Sequence, residues 1–261
     1  MSDSLFIEIG THQQQKNGED CFGDTVFSKK IPEEQRIISI LSDGLGSGVK
    51  ANILSSMTTR MAMKFVESNM ELLRSSEVMM DALPICQVRK ISYATFSIVD
   101  SELGGKTRII EMDNPPHMFI RDFKPLTVKC RELSSPKWKD RTISISQVTT
   151  QPEDSIIMVS DGVTQAGLGN RKYPLGWGRQ GCLDFILKEI RKNPYVSAHD
   201  LARAVVHEAL DKEVEHKAGD DISCVVLYFR KPRKLLVLTG PPFDEDKDRE
   251  FAELVSSYDG K

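Results

Sequence analysis

Two apolar runs far apart in this chain end in the same tripeptide. IISILSDGLGSG spans residues 37–48 and DSIIMVSDGVTQAG spans residues 154–167. A short run of aliphatic residues ahead of a turn signal reads as a strand buried on both faces. Asp-Gly then turns the chain sharply, glycine lifting the steric limits on the backbone there. Each run therefore carries one aspartate, Asp43 or Asp161, at the tip of a stiff element. Two such aspartates can meet in space and share a cation, so metal-dependent chemistry is the first class to weigh. The bland alternative is a pair of ordinary turns, since Asp-Gly is among the commonest turn dipeptides.

Two further segments put carboxylates at strand edges. NGEDCFGD (17–24) supplies Glu19, Asp20 and Asp24, and KAGDDISCVVLYF (217–229) supplies Asp220 and Asp221 directly before an apolar strand. Hard divalent cations such as Mg²⁺ and Mn²⁺ prefer carboxylate, carbonyl and water oxygens. Carboxylates that converge repel one another unless a cation lies between them. Gly44, lacking a side chain, can also bring its carbonyl close to an ion. Any one of these segments is weak evidence; the four together, in this order and flanked by strands, are far more specific.

Strand-like runs dominate the rest. They fall near residues 5–10, 22–28, 37–42, 91–100, 107–112, 117–121, 126–131, 142–149, 155–160 and 222–229. Many alternate apolar with polar residues, as Thr142-Ile143-Ser144-Ile145-Ser146 does. Helical spacing occupies two blocks. The first, Lys50 to Leu83, sets Ile53, Leu54, Met57, Met61, Met63 and Phe65 on an apolar face and breaks near Ser68-Asn69. The second comprises 180–192 and 198–216, with Ser197 and Asp200 as a capping box for its last helix. Strands in runs, rather than alternating with helices, argue against a doubly wound parallel sheet. They point to an α+β architecture with helices covering largely antiparallel sheets.

Length and charge narrow the class further. The 261 residues suffice to bury a sizeable core without staples. The 35 basic and 38 acidic residues nearly cancel, so no global basic excess argues for nucleic acid and no basic block for a membrane surface. Cys21, Cys86, Cys130, Cys182 and Cys224 are dispersed and form no Cys-x-x-Cys pair, which argues for a reducing compartment. MSDSLFIEIG is not a secretory signal, and no run approaches the roughly 20 apolar residues of a membrane span. A cytoplasmic protein is expected.

With these residues in view, the chain resembles the metal-dependent protein phosphatases of the protein phosphatase 2C (PPM) superfamily, and within it the bacterial branch of the stage II sporulation protein E type. The likeness rests on Glu19-Asp20, on LSDGLGSGVKA (41–51) leading into a helix, on VSDGVTQAG (159–167) and on GDDISCVVL (219–227). It covers about residues 5–230. The resemblance implies a four-layer αββα sandwich of two packed, mainly antiparallel sheets. It implies two Mn²⁺ or Mg²⁺ ions, with Asp43 as the bridging ligand, the Gly44 carbonyl on one ion, and Asp161 and Asp220 completing one side. Asp20 would serve the other ion, with Glu19 and Asp221 as supporting residues. The activity implied is hydrolysis of phosphoserine or phosphothreonine on a bacterial signalling protein by a metal-activated water, with Asp43, Asp161 and Asp220 as the catalytic set. Anti-sigma-factor antagonists are the substrate type implied, with neither nucleic acid nor membrane as partner; a homodimer is left open.

Two departures bear on catalysis. Gln14, Gln15 and Lys16 stand where eukaryotic relatives carry a phosphate-holding arginine, and Leu45 stands where they carry a histidine proposed as general acid. These departures motivate the alternative of a catalytically weak, metal-binding scaffold or regulatory module. The glycines of 44–48 resemble a phosphate-cradling loop, but their spacing and strand-rich context are wrong for a dinucleotide fingerprint. His117, after Asn114-Pro115-Pro116, lies where bacterial relatives often show a Gly-His-Pro-type turn near the active cleft but reads rather as a surface turn residue, and His12, His199, His207 and His216 read as surface or helix residues without metal spacing. The 50–83 block, with Leu45 and Lys50 at its head, is expected to be regulatory because it follows Asp43 directly. Residues 1–231 are expected to form the phosphatase domain. Residues 232–261 read as a strand and charged helix, either the start of a truncated further unit or a stabilising appendage.

Overall fold

The structure, a computed structural model, describes residues 4–69, 95–134 and 142–232, with residues 74–75, 77–78, 85–86 and 91–92 between them. The expected C-terminal strand and helix, and most of the block beyond Asn69, lie outside the described residues.

Thirteen strands are seen among the described residues: β1 (Phe6–Gln14), β2 (Thr25–Ile31), β3 (Arg36–Ser42), β4 (Ile85–Cys86), β5 (Ile91–Ser92), β6 (Phe96–Glu102), β7 (Lys106–Met112), β8 (Met118–Arg121), β9 (Lys124–Pro125), β10 (Cys130–Ser134), β11 (Thr142–Thr149), β12 (Ser155–Val159) and β13 (Ile222–Arg230). The α-helices that accompany the sheets are α1 (Gly48–Glu67), α2 (Asp161–Thr164), α3 (Gly178–Lys192) and α4 (Ala198–Leu210). One sheet runs β1-β13-β12-β8-β9 and the other β10-β11-β7-β6-β3-β2; a short third pairs β4 with β5. The pairings in both large sheets are antiparallel.

Three apolar clusters make this a four-layer sandwich. Between the sheets, Ile37, Leu41, Val99 and Ile109 of one meet Phe119, Ile156, Met158, Val225, Leu227 and Phe229 of the other. Beneath α1, Ile38, Ile40, Ile98 and Ile110 pack on Ala62, Met63 and Val66. Beneath α3 and α4, Ile157, Val159, Cys224 and Val226 pack on Leu183, Ile186, Leu201, Val205 and Val206. Alternate residues of β3 and β13 thus face different cores, which is why both strands read as unbroken apolar runs. The α+β sandwich implied by the resemblance is the fold observed.

Local signals act as the sequence suggested. Ser197 Oγ accepts from the Asp200 N–H at 3.0 Å and caps α4. α1 stops at Ser68, beside the left-handed Asn69 (φ 52°). One strand is displaced from expectation: residues 126–129 cross from one sheet to the other, and β10 starts only at Cys130. No helix among the described residues is long and apolar enough to cross a membrane.

At the start of β3, Arg36 is buried and its guanidinium makes four hydrogen bonds. Nε and Nη2 donate to the two oxygens of Asp100 (2.5 and 2.9 Å), Nη1 to Glu34 Oε2 (2.9 Å), and Nη2 also to the Val66 carbonyl at the end of α1 (2.9 Å). Replacing Arg36 with methionine leaves the buried Asp100 carboxylate with Arg108 Nη2 (2.8 Å) still beside it, but costs it two charged hydrogen bonds and frees the end of α1. A loss of about 2–3 kcal/mol is expected in urea unfolding, and a loss under about 1 kcal/mol would refute this role.

On the opposite outer face, α4 crosses β1. His12 stacks on His207 (ring centroids 5.6 Å) and meets His199 edge-on (6.1 Å). Burial, then the charges of His207, His199 and Arg203, hold His12 below its ordinary pKa of 6.5. The unfolded chain therefore takes up this proton first on acidification. The contribution of His12 is fully present above pH 6.5 and is lost as pH falls from 6.5 through the lower folded value. Urea titrations of His12→Gln should show a flatter stability profile over that window than the wild type.

Candidate metal centre

Both Ser-Asp-Gly turns sit at one end of the sandwich, where β3 and β12 stop. Each serine pins a neighbouring segment. Ser42 Oγ donates to the Thr95 carbonyl at 2.7 Å. Ser160 Oγ accepts from the Ser223 N–H at 2.9 Å and donates to the Asp221 carbonyl at 3.2 Å. Thr95 Oγ1 accepts from the Asp43 N–H (3.0 Å) and donates to its carbonyl (2.7 Å), so the backbone of Asp43 is clamped on both sides.

The glycines serve close approach. A Cβ on Gly44 would lie 2.1 Å from the Ala51 carbonyl oxygen, and one on Gly162 would lie 2.1 Å from the Asp221 carbonyl oxygen. Any larger residue would push the first turn of α1, or the start of β13, off its aspartate.

The structure brings Asp43, Asp161 and Asp220 together with Asp24. Asp43 and Asp161 are within side-chain hydrogen-bonding reach of each other. Burial pushes Asp43 up to about 9, and the charges of Asp24, Asp161 and Asp220 push in the same direction. Burial likewise raises Asp24 to about 7; hydrogen bonds with Ser223 and Ser160 oppose this, while Asp221 and Asp161 add to it. Burial also raises Asp220, against the Asp221 N–H and Lys16, whose ammonium lies 3.9 Å from Asp220 Oδ1.

The remaining expected residues stand further out. Asp221 is buried and accepts from the backbone N–H groups of Lys16 (3.1 Å) and Gly23 (2.8 Å), tying the 16–23 loop to β13. Glu19 lies against the start of α1: a Cβ on Gly48 would come within 2.4 Å of its Oε2. Asp20 is exposed in the same loop. Leu45 is half-buried and Lys50 exposed, at the head of α1.

Asp24 is the residue whose place the sequence reading left unassigned. It is 4% exposed at the foot of β2, and its Oδ2 accepts from Ser223 Oγ at 2.6 Å. The available signal was its position four residues after Asp20, on the apolar side of NGEDCFGD and next to a strand. Thr95 carried no signal, because its work is done through the backbone of Asp43.

These donors are hard oxygens, and like charges are forced together in a buried place; both features suit Mg²⁺ or Mn²⁺. Among the described residues, no three or more His, Cys, Asp or Glu side chains already converge into an ion cage. The carboxylates of Asp24, Asp43, Asp161 and Asp220 are donors of the chemical type such ions take.

Comparison with known proteins follows the same line. The family described as stage II sporulation protein E (SpoIIE) matches residues 33–230. Among solved structures, the phosphatase domain of SpoIIE from Bacillus subtilis superposes with a TM-score of 0.64 at 18% identity, covering 92% of this chain and 100% of that one. The RsbU and RsbW domains of a Mycobacterium tuberculosis protein give a TM-score of 0.72 at 16% identity, covering 98% and 69%. The catalytic domain of the serine/threonine protein phosphatase PstP, in complex with two manganese ions, gives 0.58 at 10% identity, covering 87% and 100%. No curated protein sequence matches the chain.

Asp24→Asn removes one of the buried like charges. The ion-free protein should gain about 1 kcal/mol in urea unfolding, while Mn²⁺ affinity measured by calorimetry drops. A destabilised variant with unchanged Mn²⁺ affinity would assign Asp24 to the scaffold instead.

Proposed function

From the chain's membership of the stage II sporulation protein E family, to which the match over residues 33–230 assigns it, and from its buried carboxylates, we propose a metal-dependent protein serine/threonine phosphatase. The observation that carries this reading is the meeting of Asp43 and Asp161, from two distant strand ends, beside Asp24 and Asp220. Two Mn²⁺ or Mg²⁺ ions, when bound, supply Lewis-acid activation of water and charge to neutralise phosphoryl oxygens. The chain's own part is to hold the donors. β3 and β12 fix Asp43 and Asp161 on rigid backbone, and Thr95 and Ser160 stop those tips from shifting. Asp43, with Asp24, Asp161 and Asp220 around it, would hold both ions, and Asp161 and Asp220 would hold one of them. Asp20, exposed on the 16–23 loop, would serve the other ion directly or through water, with Glu19 and Asp221 shaping the loop that carries it.

The substrate is a phosphoserine- or phosphothreonine-bearing regulator of the anti-sigma-factor antagonist type, in the cytoplasm. Support comes from the structural relatives, among them a cell-fate determinant and a protein with RsbU and RsbW domains. The magnesium complex of RsbX and the manganese complex of PstP support the choice of ions. Leu45, half-buried and unable to give a proton, favours a second reading, a metal-binding module with little turnover.

Assays of 4-nitrophenyl phosphate and a phosphoserine peptide separate the two. Turnover should require Mn²⁺ or Mg²⁺ and vanish with chelator. Asp43→Asn and Asp161→Asn should each lower kcat at least about 100-fold. Activity without metal, or full activity in both variants, would sink the phosphatase reading; metal binding with no turnover would favour the scaffold.

A further inference from the structure

His117 is not the surface turn residue its sequence setting suggests. Its ring Nδ1 lies 3.0 Å from Glu111 Oε2, and its backbone N–H donates to Glu111 Oε1 at 2.7 Å. Both side chains are only 11% exposed. Arg179 of α3 braces the same turn, donating from Nε to the Pro116 carbonyl (3.0 Å) and from Nη2 to the His117 carbonyl (2.7 Å). Glu111 and Arg179 thus immobilise the backbone and one ring nitrogen of His117, leaving Nε2 as the nitrogen Glu111 does not hold. A groove of about 540 Å³ opens here, with Glu111, Asn114, His117, Ser144 and Arg179 in its walls.

The turn stands at the carboxylate end of the sandwich. Asn114 Nδ2 donates to the Leu41 carbonyl at 3.2 Å, two residues before Asp43. Met118 of β8 pairs with Ile157 of β12. β12 ends at Val159 and Asp161 opens α2 directly after it, so the His117 turn and Asp161 lie at the same end of these neighbouring strands.

We propose that His117, positioned by Glu111, gives the proton to the leaving oxygen of the phosphoester; this rests on the phosphatase reading above. A seryl oxygen is a poor leaving group unless protonated as its bond to phosphorus breaks, and Leu45 cannot serve. In the step, the oxygen of water forms a bond to phosphorus and the P–O bond to serine breaks. The Nε2 proton of imidazolium passes to the seryl oxygen. One water proton stays on the phosphate, the other goes to solvent, and solvent reprotonates Nε2. The balance is R–O–PO₃²⁻ + H₂O → R–OH + HPO₄²⁻. Glu111 accepts the Nδ1–H throughout, which fixes the tautomer and supports the imidazolium. The ionisable groups lining the same groove are Glu111 of β7, Asp113 of the turn, Arg179 of α3 and Cys130 of β10.

Leaving-group dependence tests this. 4-Nitrophenolate departs without a proton; a seryl alkoxide does not. In Mn²⁺-loaded protein, His117→Gln should lower kcat on a phosphoserine peptide roughly 100- to 1,000-fold and fall far less on 4-nitrophenyl phosphate. Glu111→Gln should lower kcat on the peptide in the same sense and again spare 4-nitrophenyl phosphate. Mn²⁺ affinity by calorimetry should match the wild type in both. An equal loss on the two substrates, or no loss on either, overturns the proton-donor role and leaves the phosphatase reading standing. Absence of turnover of both substrates by the wild-type protein overturns the phosphatase reading and this proposal with it.

Discussion

Repulsion among buried carboxylates is the constraint on which the rest of this structure depends. Asp24, Asp161 and Asp220 raise the proton affinity of Asp43, and Asp161 raises that of Asp24 and Asp220, at an end of the sandwich where burial acts in the same direction. A loop could not hold them there, because it would relax until the charges parted. Strands buried on both faces can. Three clusters grip β3, β12 and β13, so the cost of crowding the tips is spread over the whole sandwich. Hydroxyl groups do the local work: Ser42, Thr95, Ser160 and Ser223 are each buried and each bonded to backbone or carboxylate at the site.

This division of labour explains what could be read from the residues alone. β3 and β13 lie between two cores, and their unbroken apolar runs announce it. In β11, Ile143 and Ile145 pack on the core beneath α1 while the intervening positions are Thr142, Ser144 and Ser146, and the strand alternates accordingly. The capping serine of α4 and the break after α1 are local signals and were legible for that reason. The 126–131 run misled because its apolar residues, Leu126 and Val128, serve a crossing between sheets rather than a ladder. Composition does not distinguish those uses.

Within the site, legibility followed the same boundary. Asp43 and Asp161 are announced by their own turns. The choice between Asp20 and Asp24 depends on which of two aspartates in one loop points inward, and that is settled by Ser223 and Ser160, some two hundred residues and well over a hundred residues away. His117 is similar: its partner Glu111 lies six residues earlier, but the turn of Asn114-Pro115-Pro116 and the brace from Arg179 decide that the two meet. Three histidines that show no metal spacing in the sequence gather where α4 crosses β1, through tertiary packing alone.

The contact between Gly44 and Ala51 joins the site to α1 more tightly than chain connectivity requires. With the Ala51 carbonyl oxygen 2.1 Å from where a Cβ would stand, Gly44 and the first turn of α1 have no slack between them. At its other end α1 is held through the Val66 carbonyl by Arg36, which Asp100 and Glu34 hold in turn. A force on the exposed flank at Val49 and Ile53 would therefore find one end of the helix anchored on a buried ion pair and the other pressed on the residue after Asp43. One hydrogen bond, from Arg36 to the Val66 carbonyl, holds the far end; at the near end Asn52 Nδ2 donates to the Phe22 carbonyl (2.8 Å) and Ser55 Oγ meets Thr25 Oγ1 (2.7 Å), so the first turns of α1 are tied to the loop before β2 and to β2 itself as well as to Gly44.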